Sequence, residues 1–232
     1  MAERTEFIRS MFNRIATRYD LINDLLSLGI HRTWLKKAVA LAELDNNSSV
    51  VDFATGTGKF AFEFAKKNPS ISIVGLDFSE KMLEIAQNRS IQHGYQIKFI
   101  QADALHTPFP DSTFDVATIS YGIRNVNSIE GCLQEMARIL KPNGQIIIVE
   151  FGTPKRWFQP IYRIYENLFI IPLGGLLSGD YKAYKYLIHS SRVFPSGENF
   201  LDILRKTRLF KDEVAIPLSF GIAYIYLAKV RK

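Results

Sequence analysis

The residues best suited to chemistry in this chain are three aspartates, Asp52, Asp77 and Asp103, and a glycine turn, Gly56-Thr57-Gly58. Apolar runs precede the acids: Val50-Val51, Ile71 to Leu76, and Ile97 to Ile100. Such runs read as strands, and an acid at a strand's carboxyl end stands where an open α/β sheet forms its ligand crevice. The glycines let backbone approach a ligand where a Cβ would collide. An ionised carboxylate offers only acceptors. After the second strand it can take both hydroxyls of a ribose, and after the third an exocyclic adenine amine. Asp52, beside the glycine turn, can face a cation or an ammonium. A second reactive group, Arg124-Asn125, follows a fourth apolar run, Phe114 to Ser120.

These residues need a scaffold of alternating strands and helices. A helix opens at Phe60-Ala61-Phe62 after the glycine turn. Ser79 is placed to cap a helix reaching about His93, with Glu80 favourable in its first turn. Another helix, from about Ser128 to Leu140, should stop at Lys141-Pro142-Asn143-Gly144. Gln145 to Val149 then reads as a fifth strand buried on both faces, with Glu150 at its end. The alternation implies a parallel sheet with right-handed crossovers.

Ahead of this core, residues 1–45 are expected to be a helical cap, with Phe7, Met11 and Ile15 at four-residue intervals. Residues 46–152 form the ligand-binding core. Residues 153–195 break the βα rhythm with aromatics, proline and glycine, and read as a substrate-facing or lipid-facing insertion. Residues 196–232 hold a helix from about Gly197 to Arg208. Two strands follow, Glu213 to Ile216 and Ile222 to Ala228, joined too tightly for a crossover helix and so antiparallel. All 232 residues read as one domain.

Composition narrows the classes. No run of 18 apolar residues offers a membrane span, and the N-terminus lacks the pattern of a signal peptide. A single cysteine, Cys132, excludes an internal disulfide framework, and four scattered histidines show no metal-ligand spacing. The cytoplasm is the expected compartment, with peripheral contact at the inner membrane face. The net charge of +6 suits an anionic surface or simple solubility. It carries no aromatic-interleaved basic strip, so nucleic acid is not expected as a partner. A homodimer is open.

Two cofactors compete for the crevice. Gly56-Thr57-Gly58-Lys59-Phe60-Ala61 fits the G-x-G-x-x-A dinucleotide pattern, with Asp77 at a suitable distance beyond. That arrangement sets a pyrophosphate on the helix N-terminus, where the charge of Asp52 would repel it. A ligand with an ammonium-bearing amino acid head tolerates Asp52. Together with the acid after the third strand, this favours S-adenosyl-L-methionine.

The glycine turn and its following acids, Asp52 to Gly58, Asp77 and Asp103-Ala104, resemble those of class I S-adenosylmethionine methyltransferases, with Ala54 in place of the usual first glycine. More specifically, the chain resembles the demethylmenaquinone and 2-methoxy-6-polyprenyl-benzoquinol methyltransferase family. The matching segments run nearly end to end: Tyr19-Asp20-Leu21-Ile22-Asn23, Ser27 to Trp34, Pro108-Phe109-Pro110, Tyr121 to Val126, Leu140 to Gly144, Tyr184 to Leu187, and Phe194-Pro195. Departures are Lys59 where that family often has Asp, Tyr121 for Phe, and Gly152 for Ser.

The resemblance implies a Rossmann-like, mostly parallel seven-stranded α/β sheet with an antiparallel edge strand and an N-terminal helical extension. It implies S-adenosyl-L-methionine as cofactor and a polyprenyl quinol as substrate, methylated on carbon. The expected conversion is demethylmenaquinol to menaquinol. Ubiquinone-pathway benzoquinol methylation, or another small-molecule or RNA acceptor, is the alternative. Cofactor contacts are expected at Asp52, Gly56, Thr57, Gly58, Asp77, Asp103, Ala104 and Ser120, and substrate chemistry at Arg124, Asn125 and Tyr19.

Methylating a quinol on carbon requires a phenolate whose ortho carbon is nucleophilic. Arg124 stays protonated and cannot be the base, but it can stabilise that phenolate. Its plain alternative is a salt bridge to the acids at the sheet ends. Asn125 could orient the quinol hydroxyl or a water. For the base, water, Tyr19, Asp20 and His31 remain open.

Overall fold

The computed structural model describes residues 2–232, with side chains from Arg4 onward. Two helices come first, α1 (Ala2–Leu26) and α2 (Ile30–Ala40). The alternating core runs β1 (Ser49–Phe53), α3 (Lys59–Lys67), β2 (Ser72–Asp77), α4 (Glu80–His93), β3 (Ile97–Gln101), β4 (Phe114–Ser120), α5 (Ile129–Ile139) and β5 (Leu140–Phe151). Then come α6 (Gln159–Tyr165), α7 (Ile171–Ser178), α8 (Tyr181–Val193), α9 (Glu198–Thr207), β6 (Phe210–Leu218) and β7 (Ala223–Val230).

Seven strands form one sheet in the order β3-β2-β1-β4-β5-β7-β6. The pairings among β1 to β5 are parallel, and β7 runs antiparallel to both β5 and β6. The reversed strand therefore lies one place in from the edge, which β6 occupies. The order reverses at β1, whose neighbours β2 and β4 leave in opposite directions, and an open α/β sheet makes its crevice at such a point.

Alternation along the strands divides the core in two. Phe53, Ile146 and Ile148 face a cluster with Leu133, Met136 and Leu204 from α5 and α9. Val50, Ile147 and Val149 face one with Trp34, Phe60 and Phe64 from α2 and α3. Burial on both faces is why β5 lacks an apolar–polar alternation. The caps follow local chemistry: the Ser79 side chain accepts from Met82 N at 3.3 Å, and that of Ser128 from Gly131 N at 2.9 Å. α5 ends at Ile139, ahead of Lys141 to Gly144, which lie within β5; that strand already begins at Leu140, which pairs with Phe114 before a register shift.

The segment that breaks the βα rhythm is more helical than its proline and glycine suggest. α6 passes through a π-helical turn (Glu166–Ile170) directly into α7. Pro172 lacks an N–H and its ring crowds the carbonyl four residues back, so the wider turn before it lets the helix continue. Gly174 and Gly175 serve packing. A Cβ on Gly174 would fall 2.3 Å from the Tyr184 ring, so the glycine is what allows α7 and α8 to approach. Among the described residues no helix is long and apolar enough to cross a membrane, and no group of side chains could hold a metal ion.

Candidate active site

The glycine turn closes over the carboxyl end of β1. Ala54, Gly56 and Gly58 all take positive φ, at 46°, 55° and 84°. Gly56 N donates to Asp77 Oδ2 at 2.8 Å, and Ser79 N donates to Asp77 Oδ1 at 2.8 Å. Asp77 thus ties the turn to the start of α4. Burial pushes its carboxyl up to about 6, against the opposing pull of these N–H donors.

Two cavities meet here. The first, of about 500 Å³, is lined by Gly56, Asp77, Asp103, Ala104 and Ser120, with Thr5, Ile8 and Phe12 of α1 closing over it. The second, of about 810 Å³, is lined by aromatic and aliphatic side chains, among them Trp34, Phe151, Phe158, Tyr162 and Tyr184, and by Arg124. Five residues belong to both walls: Tyr19, Ala54, Gly56, Ser120 and Tyr121.

The first cavity suits S-adenosyl-L-methionine. At Gly56 a Cβ would meet nothing within 4 Å, so the space beside the turn is open to a ligand. Each Asp77 oxygen has spent one lone pair on backbone, leaving acceptor capacity for a pair of hydroxyls. Among the described residues, Asp103 Oδ1 accepts only from Leu105 N, at 2.9 Å.

Not every expected contact reaches this cavity. Asp52 is fully buried, with Thr118 and Thr55 each donating a hydroxyl to it at 2.7 Å, and it lines neither cavity. The expectation that it faces an ammonium is therefore corrected: strand alternation turns it into the protein, where it braces the turn. Burial pushes its carboxyl up to about 7. Thr57 lines the second cavity. Gly58 lines neither, and a Cβ there would lie 2.8 Å from the Phe62 ring, so its role is packing and a left-handed backbone.

Arg124 and Asn125, adjacent in sequence, part company. Arg124 lines the second cavity and Asn125 the first. Arg124 Nη1 pairs with the buried Glu150 and donates to the Tyr121 carbonyl at 2.9 Å, while Nε donates to Ser190 Oγ at 3.4 Å. Its guanidinium lies 5.3 Å from the centre of the Phe151 ring. The salt bridge to a sheet-end acid is therefore present. Nη2 makes no hydrogen bond among the described residues. Asn125 Oδ1 accepts from the Tyr186 hydroxyl at 3.1 Å.

The three side chains considered as bases are constrained. Burial holds the Tyr19 phenol above its ordinary value, so it keeps its proton near neutrality. Asp20 is ion-paired to Arg89 and Lys59. Burial, and then Lys59, lower His31 to about 4. Its Nδ1 lies 2.6 Å from Ser27 Oγ, and its Nε2 lies 3.2 Å from Asp24 and 3.4 Å from Lys59. Lys59, a departure from the resembling family, ties α3 to α1 through Asp24 and Asp20. Sequence reasoning missed Ser190 and Phe151 as partners of Arg124. The available signal was Glu150, an acid directly after the apolar run Ile146 to Val149.

The model of the ubiE/COQ5 methyltransferase family matches residues 1–229. A ubiquinone/menaquinone biosynthesis C-methyltransferase UbiE of Bdellovibrio bacteriovorus is 39% identical, the match covering 97% of each chain. A demethylmenaquinone methyltransferase of Thermus thermophilus is 40% identical, over 94% of this chain and 98% of its own. Among solved structures, a SAM-dependent methyltransferase of Thermotoga maritima, described as a possible histamine N-methyltransferase, superposes with a TM-score of 0.68. It is 22% identical over 97% of this chain and 99% of its own, a likeness of fold.

Proposed function

From its membership of the ubiE/COQ5 methyltransferase family, to which this chain belongs, we propose that it methylates a ring carbon of a polyprenyl quinol, using S-adenosyl-L-methionine, in menaquinone or ubiquinone biosynthesis. The observation that carries the reading is the shared wall. An acid-edged cavity and a larger aromatic one meet at Tyr19, Gly56, Ser120 and Tyr121, so a methyl donor and an aromatic acceptor can lie on either side.

Bound in the first cavity, the cofactor supplies an electrophilic methyl group on a sulfonium. Asp77 is assigned its ribose hydroxyls and Asp103 its adenine amine, with Gly56, Ala104 and Ser120 forming the walls. Arg124 faces the quinol and stabilises the oxygen as it loses its proton, while Glu150, Ser190 and the Tyr121 carbonyl hold the guanidinium in place. With Tyr19 kept protonated and Asp20 and His31 engaged, a water is the best-supported acceptor for that proton. The substrate is demethylmenaquinol in the favoured version. Labelled S-adenosyl-L-methionine incubated with demethylated naphthoquinols and benzoquinols, each prenylated, distinguishes the two: label in the naphthoquinol supports it, and label in neither refutes the function.

The same reading accounts for the surface around the second cavity. From the turn before α6 to the π-helical turn after it, Trp157, Ile161, Leu168 and Phe169 are exposed beside Arg156 and Arg163, and Leu28, which lines the second cavity, is 85% exposed. Exposed apolar side chains flanked by cations suit the headgroup region of an anionic bilayer, from which a prenyl tail must be drawn. Sedimentation with anionic vesicles should fall with salt and with Trp157→Ala/Phe158→Ala. Equal recovery on neutral vesicles at every salt would leave only packing.

A further inference from the structure

α1 forms one wall of the first cavity through Thr5, Ile8 and Phe12. The next residue, Asn13, lines neither cavity, and its side chain meets the start of α4 instead. Its Oδ1 accepts the Ser79 hydroxyl at 2.6 Å. Ser79 is fully buried, so its hydroxyl proton needs an acceptor inside the protein. The same hydroxyl oxygen accepts from Met82 N as the cap of α4, and Ser79 N donates to Asp77 Oδ1 at 2.8 Å. Two hydrogen bonds through one buried serine therefore connect α1 to the acid at the end of β2.

Other contacts hold α1 on either side of Asn13. Asn127, which lines the first cavity, donates to Thr5 Oγ1 at 2.7 Å, and Arg89 of α4 pairs with Asp20. Asn13 lies between these two ties, next to the cavity-lining Phe12. The helix that walls the cavity and the carboxylate at its edge are thus parts of one hydrogen-bonded assembly.

We propose that Asn13 is a positioning residue for S-adenosyl-L-methionine: by taking the Ser79 hydroxyl proton it fixes the Ser79 N–H on Asp77 and reserves the remaining acceptor sites of that carboxylate for the ribose. The assignment rests on Asp77 holding the ribose hydroxyls. Asn13 acts through Ser79 and not by contact with the cofactor. In its absence the buried hydroxyl loses its acceptor and turns to the carboxylate that its own N–H already holds, where it competes with the ribose. Binding couplings are reciprocal, so a bound cofactor in turn holds α1 against α4.

Calorimetric titration with S-adenosyl-L-methionine at pH 8, well above the Asp77 pKa of about 6, tests this. Asn13→Ala should weaken binding by about 3- to 10-fold, the scale of one hydrogen bond between neutral groups. Turnover at saturating cofactor stays at the parent value, and Asn13→Asp, which keeps an acceptor oxygen in place, recovers most of the affinity. In an Asp77→Asn background the same Asn13→Ala change should cost less than about twofold, because the group it acts on is already altered. An equal loss in both backgrounds, or a lowered melting temperature with affinity unchanged, leaves Asn13 a packing residue of α1 and overturns the proposal. Asp77→Asn that binds at full affinity overturns the ribose assignment itself, whereas full affinity in Asn13→Ala alone overturns only the role of Asn13. Hydrogen exchange reads the reciprocal effect: cofactor should slow amide exchange across the middle of α1 in the parent and do so less in Asn13→Ala. Equal protection in both overturns the coupling.

Discussion

Acidification should loosen the hold on S-adenosyl-L-methionine before it unfolds the protein, and Asp77 is the reason. Two backbone N–H groups already occupy one site on each of its oxygens, at 2.8 Å, so the remaining sites match a pair of ribose hydroxyls. Burial has raised its pKa to about 6. Hydroxyls that donate to the ionised form lower that value in the complex, so the complex binds fewer protons and affinity rises with pH up to about 6. The sign is fixed: below that pH the dissociation constant should grow by up to about tenfold per pH unit. Calorimetric titration at pH 7 and pH 5 should differ by about tenfold, with circular dichroism confirming the fold at both.

Asp77→Asn removes the slope at a cost. An amide has one acceptor oxygen, so Gly56 N or Ser79 N loses its partner, and Ser79 is fully buried. The variant should lose about 1–3 kcal/mol of stability, and about 1.5–3 kcal/mol of cofactor binding at pH 7. Asp77→Ala is the poorer probe, since it orphans both N–H groups. A dissociation constant flat from pH 5 to pH 7 in folded protein, or a slope that survives in Asp77→Asn, would refute the assignment.

Arg124→Lys keeps the charge but cannot hold Glu150, Tyr121 and Ser190 with one planar fork, so turnover should fall while calorimetry shows cofactor affinity intact. Arg124→Ala leaves Glu150 buried and unpaired and should destabilise the fold by about 3–5 kcal/mol in denaturant titration. For Asp52, a folded pKa of about 7 stands above an unfolded value of about 3.9, so its burial costs nothing at low pH and increasingly more as pH rises. The gap of about 3 pH units corresponds to about 4 kcal/mol at most above pH 7, less about 1 kcal/mol for the acceptor an amide lacks. Asp52→Asn should therefore raise the melting temperature at pH 8 by a margin that disappears toward pH 4; a margin independent of pH would count against this. Gly174→Ala drives a methyl group into Tyr184 and should cost about 1–3 kcal/mol, with fluorescence of Trp157 reporting loosening of α6 to α8.

Much of this molecule is legible without coordinates because the decisive signals are local. Apolar runs ending in Asp77 and Asp103, a glycine turn between strand and helix, and Ser79 and Ser128 placed to cap α4 and α5 each follow from a few consecutive residues. Their order implies the parallel core, since a strand followed by a crossover helix has one common way to pack. Tertiary structure decided the matters that turn on which side chains meet across long stretches of sequence. Alternation along β1 and its pairing with β4 sent Asp52 inward to Thr118, and no count of residues around the turn contains that direction. Arg124 and Asn125 share a short turn, yet whether they serve one cavity or two depends on Glu150 at the end of β5 and Tyr186 on α8. The helical run through Pro172 likewise depends on a π-helical turn and on Tyr184 seated against Gly174. The unmet hydrogen-bonding capacity of the buried Tyr121 hydroxyl is a property of its surroundings alone: a sequence shows that a hydroxyl is present, and only the packed neighbours show that none of the described residues satisfies it.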